Sequence, residues 1–389
     1  MLFFWMVIVL APFVLFSLYT VGAHTMSRMP HDVRRERRTP RVSVLKPVKN
    51  PDGAFAENIE SFYRSDYPDF EMLFALETED DPAAPIIRAV AARYPRIRTV
   101  IVYTGTEKPL NPKVDNLAKM EPHATGDLYW IADANVRVES DTLTRLVSEY
   151  VTHDTKLVFC PIMATGARTI GGMVENAYIN YYITGNLITA WRLFRLPIVI
   201  GKSLLIERRA LEEHFGGFRI FEPYLAEDYM MGLLFRKKGL RVSTNFTPAE
   251  NVNRDSSLRS FFDRMSRWAV MRFQIKPKLY LAEAIMHPMV WALLSVPFLG
   301  EPGFGLLLFA TVAKVFLEYM NLFAHQNGDR SRHTILLFPF VVLVKDILSF
   351  AIYLSPFLTR RVKWRGRTIV VGKNSLILPE RHAELEYGN

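Results

Sequence analysis

The sequence predicts an α/β domain with a mostly parallel sheet flanked by helices, joined to apolar helices that lie in or on a membrane. Three observations predict this class. Residues 2–22 carry no charged side chain, strand-like and helix-like runs alternate from residue 41 to about 250, and the chain becomes apolar again from Leu279. Strands that alternate with helices of ordinary length form parallel sheets covered on both faces.

The composition agrees with this class. The 389 residues are enough for one such domain together with membrane segments. The net charge is +9, with arginine and lysine beside the apolar segments, as expected where a protein contacts anionic lipid headgroups. No basic stretch coincides with a recognisable nucleic-acid-binding module, so we predict no nucleic-acid partner. Cys160 is the only cysteine, which excludes a disulfide within the chain.

The first element is an N-terminal anchor over residues 1–24. A helix that rises about 1.5 Å per residue can cross a hydrocarbon core of about 30 Å with the apolar run 2–22. A cleaved signal peptide would show a basic start, a shorter apolar core and a small-residue cleavage site, so we predict an uncleaved helix. The basic linker 25–40 contains the cluster 34–38 and, by the positive-inside rule, puts the following domain in the cytoplasm.

The central domain, 41–255, follows the linker. Short apolar and β-branched runs predict four strands, at 42–45, 71–76, 99–103 and 127–132. Helical spacing predicts three helices between and after them, at 55–63, 84–94 and 141–150. In such sheets ligands bind beyond the carboxyl ends of the strands, so the informative residues should directly follow a strand.

The last elements are membrane segments over residues 279–358. Three long apolar stretches are 281–299, 304–323 and 335–358, with a turn predicted at 301–303 and a polar loop at 326–333. Three full crossings after a cytoplasmic domain would leave the basic tail, 359–389, outside, against the positive-inside rule. Since Glu283, His287 and two prolines interrupt the first stretch, it is the candidate for a re-entrant or interfacial segment. The sequence leaves the number of crossings open.

Two acidic positions follow predicted strands. Asp81 comes shortly after the second strand and is either part of a proline-ended turn or a carboxylate that accepts hydrogen bonds from a nucleoside. Asp133 and Asn135 follow the fourth strand. Their oxygens suit Mg²⁺ or Mn²⁺ bridging a diphosphate, because hard cations take oxygen ligands and need few carboxylates when phosphates share the site. A turn is the alternative interpretation of this Asp-x-Asn sequence.

A third acidic position, Asp228, precedes an apolar helical run at 230–235. Acidic residues are favoured at helix N-termini, so capping alone explains its position. A rigid helix start is also a suitable place for a general base that takes a proton from an attacking hydroxyl. The two interpretations are compatible.

An Arg-x-x-Arg-Trp stretch lies within a predicted helix over 258–273. Arg264 and Arg267 share one helical face, and Trp268 belongs to the apolar side. An amphipathic helix on the membrane surface, within 256–278, explains this pattern. The functional hypothesis adds that Arg267 pairs with a leaving diphosphate, since a guanidinium donates two parallel hydrogen bonds, while Trp268 packs against the sugar or acceptor.

The order of these residues resembles that of the ceramide glucosyltransferases, membrane-bound members of the inverting GT-A group (glycosyltransferase family 21), here of a bacterial type. That family shares the pattern D, D, D, (Q/R)xxRW, which falls on Asp81, Asp133, Asp228, Arg264, Arg267 and Trp268. The resemblance runs from about residue 41 to 275, and its most specific stretch is NPKVDNL at 111–117. Animal members have a histidine where this chain has the stretch 179–182, which contains none.

The resemblance implies a GT-A domain that transfers a hexose, most simply glucose, from a UDP-sugar to the primary hydroxyl of ceramide with inversion. It implies that Asp228 is the catalytic base and that the other pattern residues, together with Lys113, bind the donor. It also implies Mg²⁺ or Mn²⁺ at Asp133 and Asn135, a lipid bilayer as partner, and a multi-pass protein, here in a bacterial inner membrane, with its catalytic domain in the cytoplasm.

Three alternatives remain open at this point. The same chemistry could act on a hopanoid or diacylglycerol. A processive polysaccharide synthase would share the motifs but would normally need more membrane crossings for a polymer channel. A non-enzymatic membrane scaffold would need neither Asp133 nor Asp228.

Overall fold

The structure, a computed structural model, describes residues 1–26, 39–49, 51, 53–324, 331–364 and 366–378, with the backbone alone for 23–26. The predicted basic cluster 34–38, most of the loop 326–333 and the end of the tail 359–389 lie outside the described residues. Two compact units divide the chain. One, the membrane unit, draws on Met1–Arg28, Ala164–Thr189 and Asn253–Asn389, and the other, the sheet unit, on Met29–Met163 and Ala190–Val252.

Each predicted helix in the central domain is found at largely the predicted position, and further helices that were not predicted lie between them. In chain order the helices are α1 Leu2–Met26, α2 Phe55–Tyr63, α3 Ala83–Ala91, α4 Pro112–Met120, α5 Thr142–His153, α6 Ile170–Ala177, α7 Thr184–Phe194, α8 Arg208–Phe215, α9 Glu227–Lys237, α10 Leu258–Ile275, α11 Pro277–Ala282, α12 Pro288–Leu299, α13 Glu301–Ala324 and α14 Arg332–Leu358. A π-helical segment, Tyr178–Ile183, joins α6 to α7.

The described strands form three sheets: a seven-stranded mixed sheet in the sheet unit, a second sheet of three short strands, and a three-stranded hairpin sheet near the end of the chain. In chain order the strands are β1 Val42–Pro47, β2 Phe70–Leu76, β3 Thr99–Tyr103, β4 Leu128–Ala132, β5 Val136–Arg137, β6 Leu157–Phe159, β7 Ile162–Thr165, β8 Ser203–Glu207, β9 Val242–Thr244, β10 Ala249–Val252, β11 Arg361–Trp364, β12 Arg367–Val371 and β13 Ile377–Leu378.

The central sheet has the order β3-β2-β1-β4-β8-β6-β9, and the second sheet has the order β5-β10-β7. β1, β2, β3 and β4 run parallel, whereas β8 is antiparallel to both β4 and β6. Every residue of β1, β2 and β4 is buried, as expected for strands covered on both faces. Trp130 on β4 packs against Phe62 of α2 and is 1% exposed, which places the centre of the core under β4.

The membrane unit contains three described helices that are long and apolar enough to cross a membrane: Leu2–Gly22 of α1, Glu301–Ala324 and Arg332–Leu358. Their mean hydropathies are 2.4, 1.6 and 2.3. Pro277–Met286 and Pro288–Leu299 pass the same test only as a pair and are bent by 62° at their junction, so there are up to four spans if the pair is one. The predicted interruption at His287 and Pro288 is therefore a sharp bend.

Among the differences from the predictions, two have a local reason and a third concerns the grouping of a whole segment. The helix predicted to Tyr94 ends at Ala91, because Pro95 disfavours helical geometry in the residue before it. The turn predicted at 301–303 is the start of α13. Gly300, with φ 63°, provides the break instead, and Pro302 fits a first turn that needs no N–H from it. Residues 164–189, predicted as part of the central domain, group with the membrane helices.

Candidate active site

The candidate site lies at the carboxyl end of β4, in the sheet unit. Asp133 follows β4 directly, and β8 runs antiparallel beside β4 with Ser203 opposite Ala132. An antiparallel neighbour starts where β4 ends, so Gly201 and Lys202, which precede β8, arrive beside Asp133. Lys202 Nζ lies 2.9 Å from Asp133 Oδ2. Part of the site is thus built by a strand whose direction the alternating pattern does not reveal.

Lys113 reaches the same carboxylate from the first turn of α4. Asn111 caps this helix: its Oδ1 accepts from the N–H groups of Lys113 and Val114, at 3.0 and 3.2 Å, and Pro112 occupies a position where no N–H is needed. The cap fixes the direction of the Lys113 side chain. Its Nζ lies 3.0 Å from Asp133 Oδ1 and donates to the carbonyl oxygen of Gly201, also at 3.0 Å.

Asp133 therefore lies between two ammonium groups. Burial alone would raise the pKa of Asp133, but the positive charges of Lys113 and Lys202 outweigh it and hold that pKa well below its usual range. Conversely, burial lowers the pKa of Lys113, while the carboxylates of Asp133, Glu227 and Asp228 together raise it above its usual value. Both partners are charged, and the pair of lysines presents positive charge at the strand end.

Asp228 sits at the start of α9 on the other side of Lys113. Its Oδ2 accepts from the backbone N–H of Gly201 at 2.5 Å, and its Oδ1 accepts from the N–H of Tyr229 at 2.7 Å. The neighbouring Glu227 pairs with Lys113 at 3.1 Å. The prediction that Asp228 lies at a helix start is confirmed by the bounds of α9.

The electrostatic setting of Asp228 differs from that of Asp133. Burial, and then the negative charge of Glu227, raise the pKa of Asp228 to about 6, although Lys113 and the two backbone N–H bonds act in the opposite direction. A carboxylate with a pKa near 6 is ionised at neutral pH and still accepts a proton more readily than an ordinary aspartate. The pKa values of the two carboxylates beside Lys113 are thus shifted in opposite directions, with that of Asp133 lowered and that of Asp228 raised.

Gly201 is the point where these side chains converge. A Cβ at this position would lie 2.9 Å from Asp228 Cβ, from Asp228 Oδ2 and from Lys113 Nζ. Any larger residue would displace the two charged side chains.

Lys46, at the end of β1, supports the site from below. It is fully buried, stacks its ammonium 3.7 Å from the centre of the Phe62 ring and donates to the backbone carbonyl of Asp133 at 3.1 Å. Burial lowers the pKa of Lys46 to about 7, although Asp133 acts to raise it.

The predicted metal ligands were Asp133 and Asn135. Asn135 Oδ1 accepts from Lys202 Nζ at 3.1 Å, and its Nδ2 donates to Asn251 at 2.9 Å. Within the described part of the chain, no three His, Cys, Asp or Glu side chains converge in a way that could hold a metal ion. The oxygens of Asp133 and Asn135 fit a divalent cation only together with a diphosphate that supplies the remaining ligands.

Asp81 lies before α3 and makes local contacts. Its Oδ1 accepts from the N–H of Ala83 at 2.9 Å, and its backbone carbonyl accepts from Ala84. This is the turn that the sequence offered as one interpretation, and a nucleoside contact stays a prediction.

Arg264, Arg267 and Trp268 lie on α10 in the membrane unit. Arg264 pairs with the buried carboxylate of Glu175, Arg267 donates to the backbone carbonyl of Lys363 at 3.1 Å, and Trp268 packs in the cluster of apolar side chains around α10 and α14. The predicted contacts of all three with the donor remain predictions.

Comparison with known proteins adds the class of enzyme. The sequence profile of glycosyl transferase family 21 matches residues 4–377, nearly the whole chain. The chain belongs to this family. Membership of this family makes the enzyme a glycosyltransferase that depends on a sugar nucleotide. The expected fold is confirmed as well, because the mixed sheet flanked by helices is GT-A-like.

Relatives and a solved structure resemble this family-21 glycosyltransferase over most of its length. Ceramide glucosyltransferase 3 of Caenorhabditis elegans is 25% identical over 384 residues, covering 94% of this chain and 81% of the relative. Ceramide glucosyltransferase of Komagataella phaffii is 23% identical, covering 84% and 81%. A mannosyltransferase of Pyrobaculum calidifontis, solved in complex with GDP-Man and Mn²⁺, has a TM-score of 0.52 at 20% identity, covering 88% of this chain and 97% of its own. The last similarity concerns the fold.

Of the sequence-predicted residues, the structure brings Lys113, Asp133 and Asp228 together in one cluster. Sequence reasoning missed Lys202 and Gly201. Their only signal is that a Gly-Lys pair precedes the strand-like run 203–206, and nothing in the sequence alone reveals that this strand pairs with β4.

Proposed function

We propose that the enzyme transfers glucose from UDP-glucose to the primary hydroxyl of ceramide, with inversion, giving a β-glucosylceramide. The observation that carries this proposal is the shared position of Lys113. Its ammonium touches Asp133 on one side and Glu227 on the other, and the backbone carbonyl of Gly201, whose N–H binds Asp228, accepts from it. Two ammonium groups that could bind a diphosphate, those of Lys113 and Lys202, are therefore next to a candidate base.

Lys113 and Lys202 would bind the diphosphate of the donor. Two ammonium groups beside one carboxylate can exchange part of their pairing with Asp133 for phosphate oxygens. They would then stabilise the negative charge that develops on UDP as it departs, and stabilisation of this kind is usually the largest contribution to the rate. Support comes from their distances to Asp133, 3.0 and 2.9 Å.

Asp228 would act as the general base. It takes the proton of the acceptor hydroxyl while the oxygen attacks the anomeric carbon and the bond to the UDP oxygen breaks. Attack from the face opposite the leaving group inverts the anomeric centre. A base of this kind contributes roughly 10²–10⁴ in rate. Its pKa of about 6 supports the role.

A divalent cation, Mg²⁺ or Mn²⁺, would be held by Asp133, with Asn135, and by the donor diphosphate. When bound, such an ion neutralises charge on the leaving diphosphate. The oxygen donors named above support this part of the proposal.

The acceptor is proposed as a membrane lipid because the chain carries candidate membrane helices and because its relatives are named ceramide glucosyltransferases. We further propose that the catalytic domain, predicted over 41–255, faces the cytoplasm of a bacterium, where nucleotide-sugars are made, and that the enzyme acts at the inner membrane.

The test is acceptor and donor profiling of the enzyme in membranes. UDP-glucose and other labelled UDP-sugars are offered with ceramide, diacylglycerol or a hopanoid, and the lipid product is isolated and its anomeric configuration read by NMR. The proposal expects a β-glucosylceramide. An α-linked product would contradict inversion, and a product on diacylglycerol or hopanoid alone would keep the enzyme class but contradict the acceptor.

A further inference from the structure

The membrane unit contains a group of buried charges that the proposed chemistry does not use. Lys314 and Glu318 lie on α13, and Lys345 and Asp346 on α14. Lys314 Nζ is 2.8 Å from Glu318 Oε1 and 3.2 Å from Asp346 Oδ1, and Lys345 pairs with both acids as well. The four charges sum to zero. Ionisable side chains within membrane helices are costly, so they are expected to have a function.

Mutual ion pairing accounts for Lys314, Lys345 and Asp346. It accounts for only one of the two carboxylate oxygens of Glu318. Both lysines approach Oε1, whereas Oε2 is buried and has no hydrogen-bond partner among the described residues. One turn further along α13, Asn321 is 3% exposed, and its Nδ2 likewise has no partner in the described part of the chain. Buried polar groups without a partner are costly, so a ligand that reaches these two atoms would be bound favourably.

Glu318 and Asn321 line the same cavity, which has a volume of about 50 Å³. They are three residues apart on one helix and so share a face. Most of the remaining wall is apolar, including Met173, Leu322 and Phe338, and it also carries the polar side chains of Thr165, Asn176, Asn180, Tyr181 and Thr334. Asn180, which also lines it, is already occupied, since it donates to and accepts from the backbone of Ala164 at 2.9 and 2.7 Å. Among the described lining residues, the cavity thus offers the acceptor Oε2 of Glu318 and the donor Nδ2 of Asn321, together with the Tyr181 hydroxyl, which is also buried without a partner.

We propose that this cavity binds the amide group of the acceptor lipid. An amide supplies an N–H for Glu318 Oε2 and a carbonyl oxygen for Asn321 Nδ2. A diacylglycerol supplies the carbonyl, but its only donor is the hydroxyl that must react. The cavity therefore selects amide-linked over ester-linked lipids. This inference rests on the proposed function in that it treats the bound lipid as the acceptor.

Apolar side chains exposed on the same helices offer a surface for the acyl chains. Phe316 on α13 and Leu336 and Phe340 on α14 are 61%, 69% and 52% exposed. The two helices that carry Glu318, Asn321 and Phe338 of the cavity wall therefore also expose side chains to hydrocarbon.

The test is equilibrium binding without any sugar donor. Purified full-length enzyme in nanodiscs is titrated with a fluorescent short-chain ceramide that lacks the secondary hydroxyl, and with its ester analogue, in which oxygen replaces the amide N–H. The wild-type protein is expected to bind the amide about tenfold more tightly, the effect of one hydrogen bond to a charged group. Asn321→Leu removes the donor and should weaken both ligands about tenfold, because both carry the carbonyl.

Met320→Leu is the matched control, since Met320 lies on the same helix and is 46% exposed. It should bind both ligands as the wild type does, and a thermal melt of each variant confirms folding. Equal binding of amide and ester by the wild type, as waters filling the cavity would give, overturns the inference, and so does unchanged binding by Asn321→Leu. Selective amide binding without any sugar transfer would instead contradict the proposed function and leave the inference standing.

Discussion

Asp228 has a pKa close to the pH at which the enzyme is expected to work. Because only the ionised carboxylate accepts a proton, kcat/KM should rise as the pH increases through about 6 and level off above it. Since Glu227 helps to raise this pKa, Glu227→Gln should move the acidic limb to lower pH. A pH–rate profile measures both effects. Glu213→Gln, at an exposed pair with Arg209, is the control, and an acidic limb that stays in place in Glu227→Gln would contradict the assignment.

Gly201 is expected to tolerate no side chain. Gly201→Ala places a Cβ 2.9 Å from Asp228 Oδ2 and from Lys113 Nζ, so the base and the cation must separate. We expect a loss of kcat of at least about 100-fold, the lower end of what a general base contributes. Gly305→Ala is the control, because a Cβ there meets no described atom within 4 Å. Steady-state kinetics that match the wild type in Gly201→Ala would refute this arrangement.

Lys202 is expected to bind the donor. Lys202→Met removes one of the two ammonium groups beside Asp133, and a hydrogen bond to a charged group contributes about 1.5–3 kcal/mol, so UDP should bind roughly tenfold or more weakly. Isothermal titration with UDP measures this change. Lys237→Met, at an exposed lysine of α9, should leave UDP binding unaltered. If both variants bind UDP equally well, Lys202 has no such role.

Helix α4 depends on its cap. Asn111 is fully buried, its Oδ1 accepts from two N–H groups and its Nδ2 donates to the carbonyl of Tyr224 at 2.8 Å. Asn111→Ala should lower the free energy of unfolding by about 1–2 kcal/mol and lower kcat further, because Lys113 is on the first turn. Asn111→Ser keeps a hydroxyl acceptor and should recover part of both losses. Thermal melts measure the loss of stability, and steady-state kinetics measure the loss of kcat. Full activity in Asn111→Ala would contradict the proposed dependence of Lys113 on the helix cap.

The elements also show what could be predicted from the sequence. The bounds of α2 and β3 were predicted exactly as found, because their apolar spacing has one period and clear ends. β8 was not predicted, and neither was its antiparallel direction. The placement of Asp133 just after a strand and of Asp228 at a helix start was predicted, because each depends only on its own element. Lys202 was missed, because its place beside Asp133 depends on the pairing of β8 with β4.

At the scale of the whole chain, the grouping of residues 164–189 with the membrane helices could not be predicted. The segment has the length and polarity of an ordinary helix pair. It belongs to the membrane unit because it packs closely against residues of that unit. A Cβ on Gly171 would lie 2.5 Å from the backbone of Leu258, and one on Gly185 would lie 2.6 Å from the Tyr19 ring. Contacts between residues this far apart in sequence leave no local pattern.

The bend at His287 bears on membrane topology. With three crossings, by α1, α13 and α14, the two ends of the chain lie on opposite sides of the membrane and the basic tail reaches the cytoplasm, as the positive-inside rule favours. If the bent pair also crossed, both ends would lie on the same side. We expect three crossings. Single cysteines at Leu2 and Lys373, in a Cys160→Ser background, should react with an impermeant maleimide from opposite sides of oriented vesicles; labelling from one side would contradict this.

We propose that the cluster of Lys113, Asp133, Lys202 and Asp228 is the catalytic centre. The most direct test compares Asp228→Asn with Asp154→Asn, a control at an exposed aspartate in left-handed conformation, which asparagine tolerates. The rate of sugar transfer from UDP-glucose to ceramide and the affinity for UDP are measured for each. We predict that Asp228→Asn still binds UDP but loses transfer by at least about 100-fold, while Asp154→Asn keeps both. Undiminished transfer by Asp228→Asn would contradict the account.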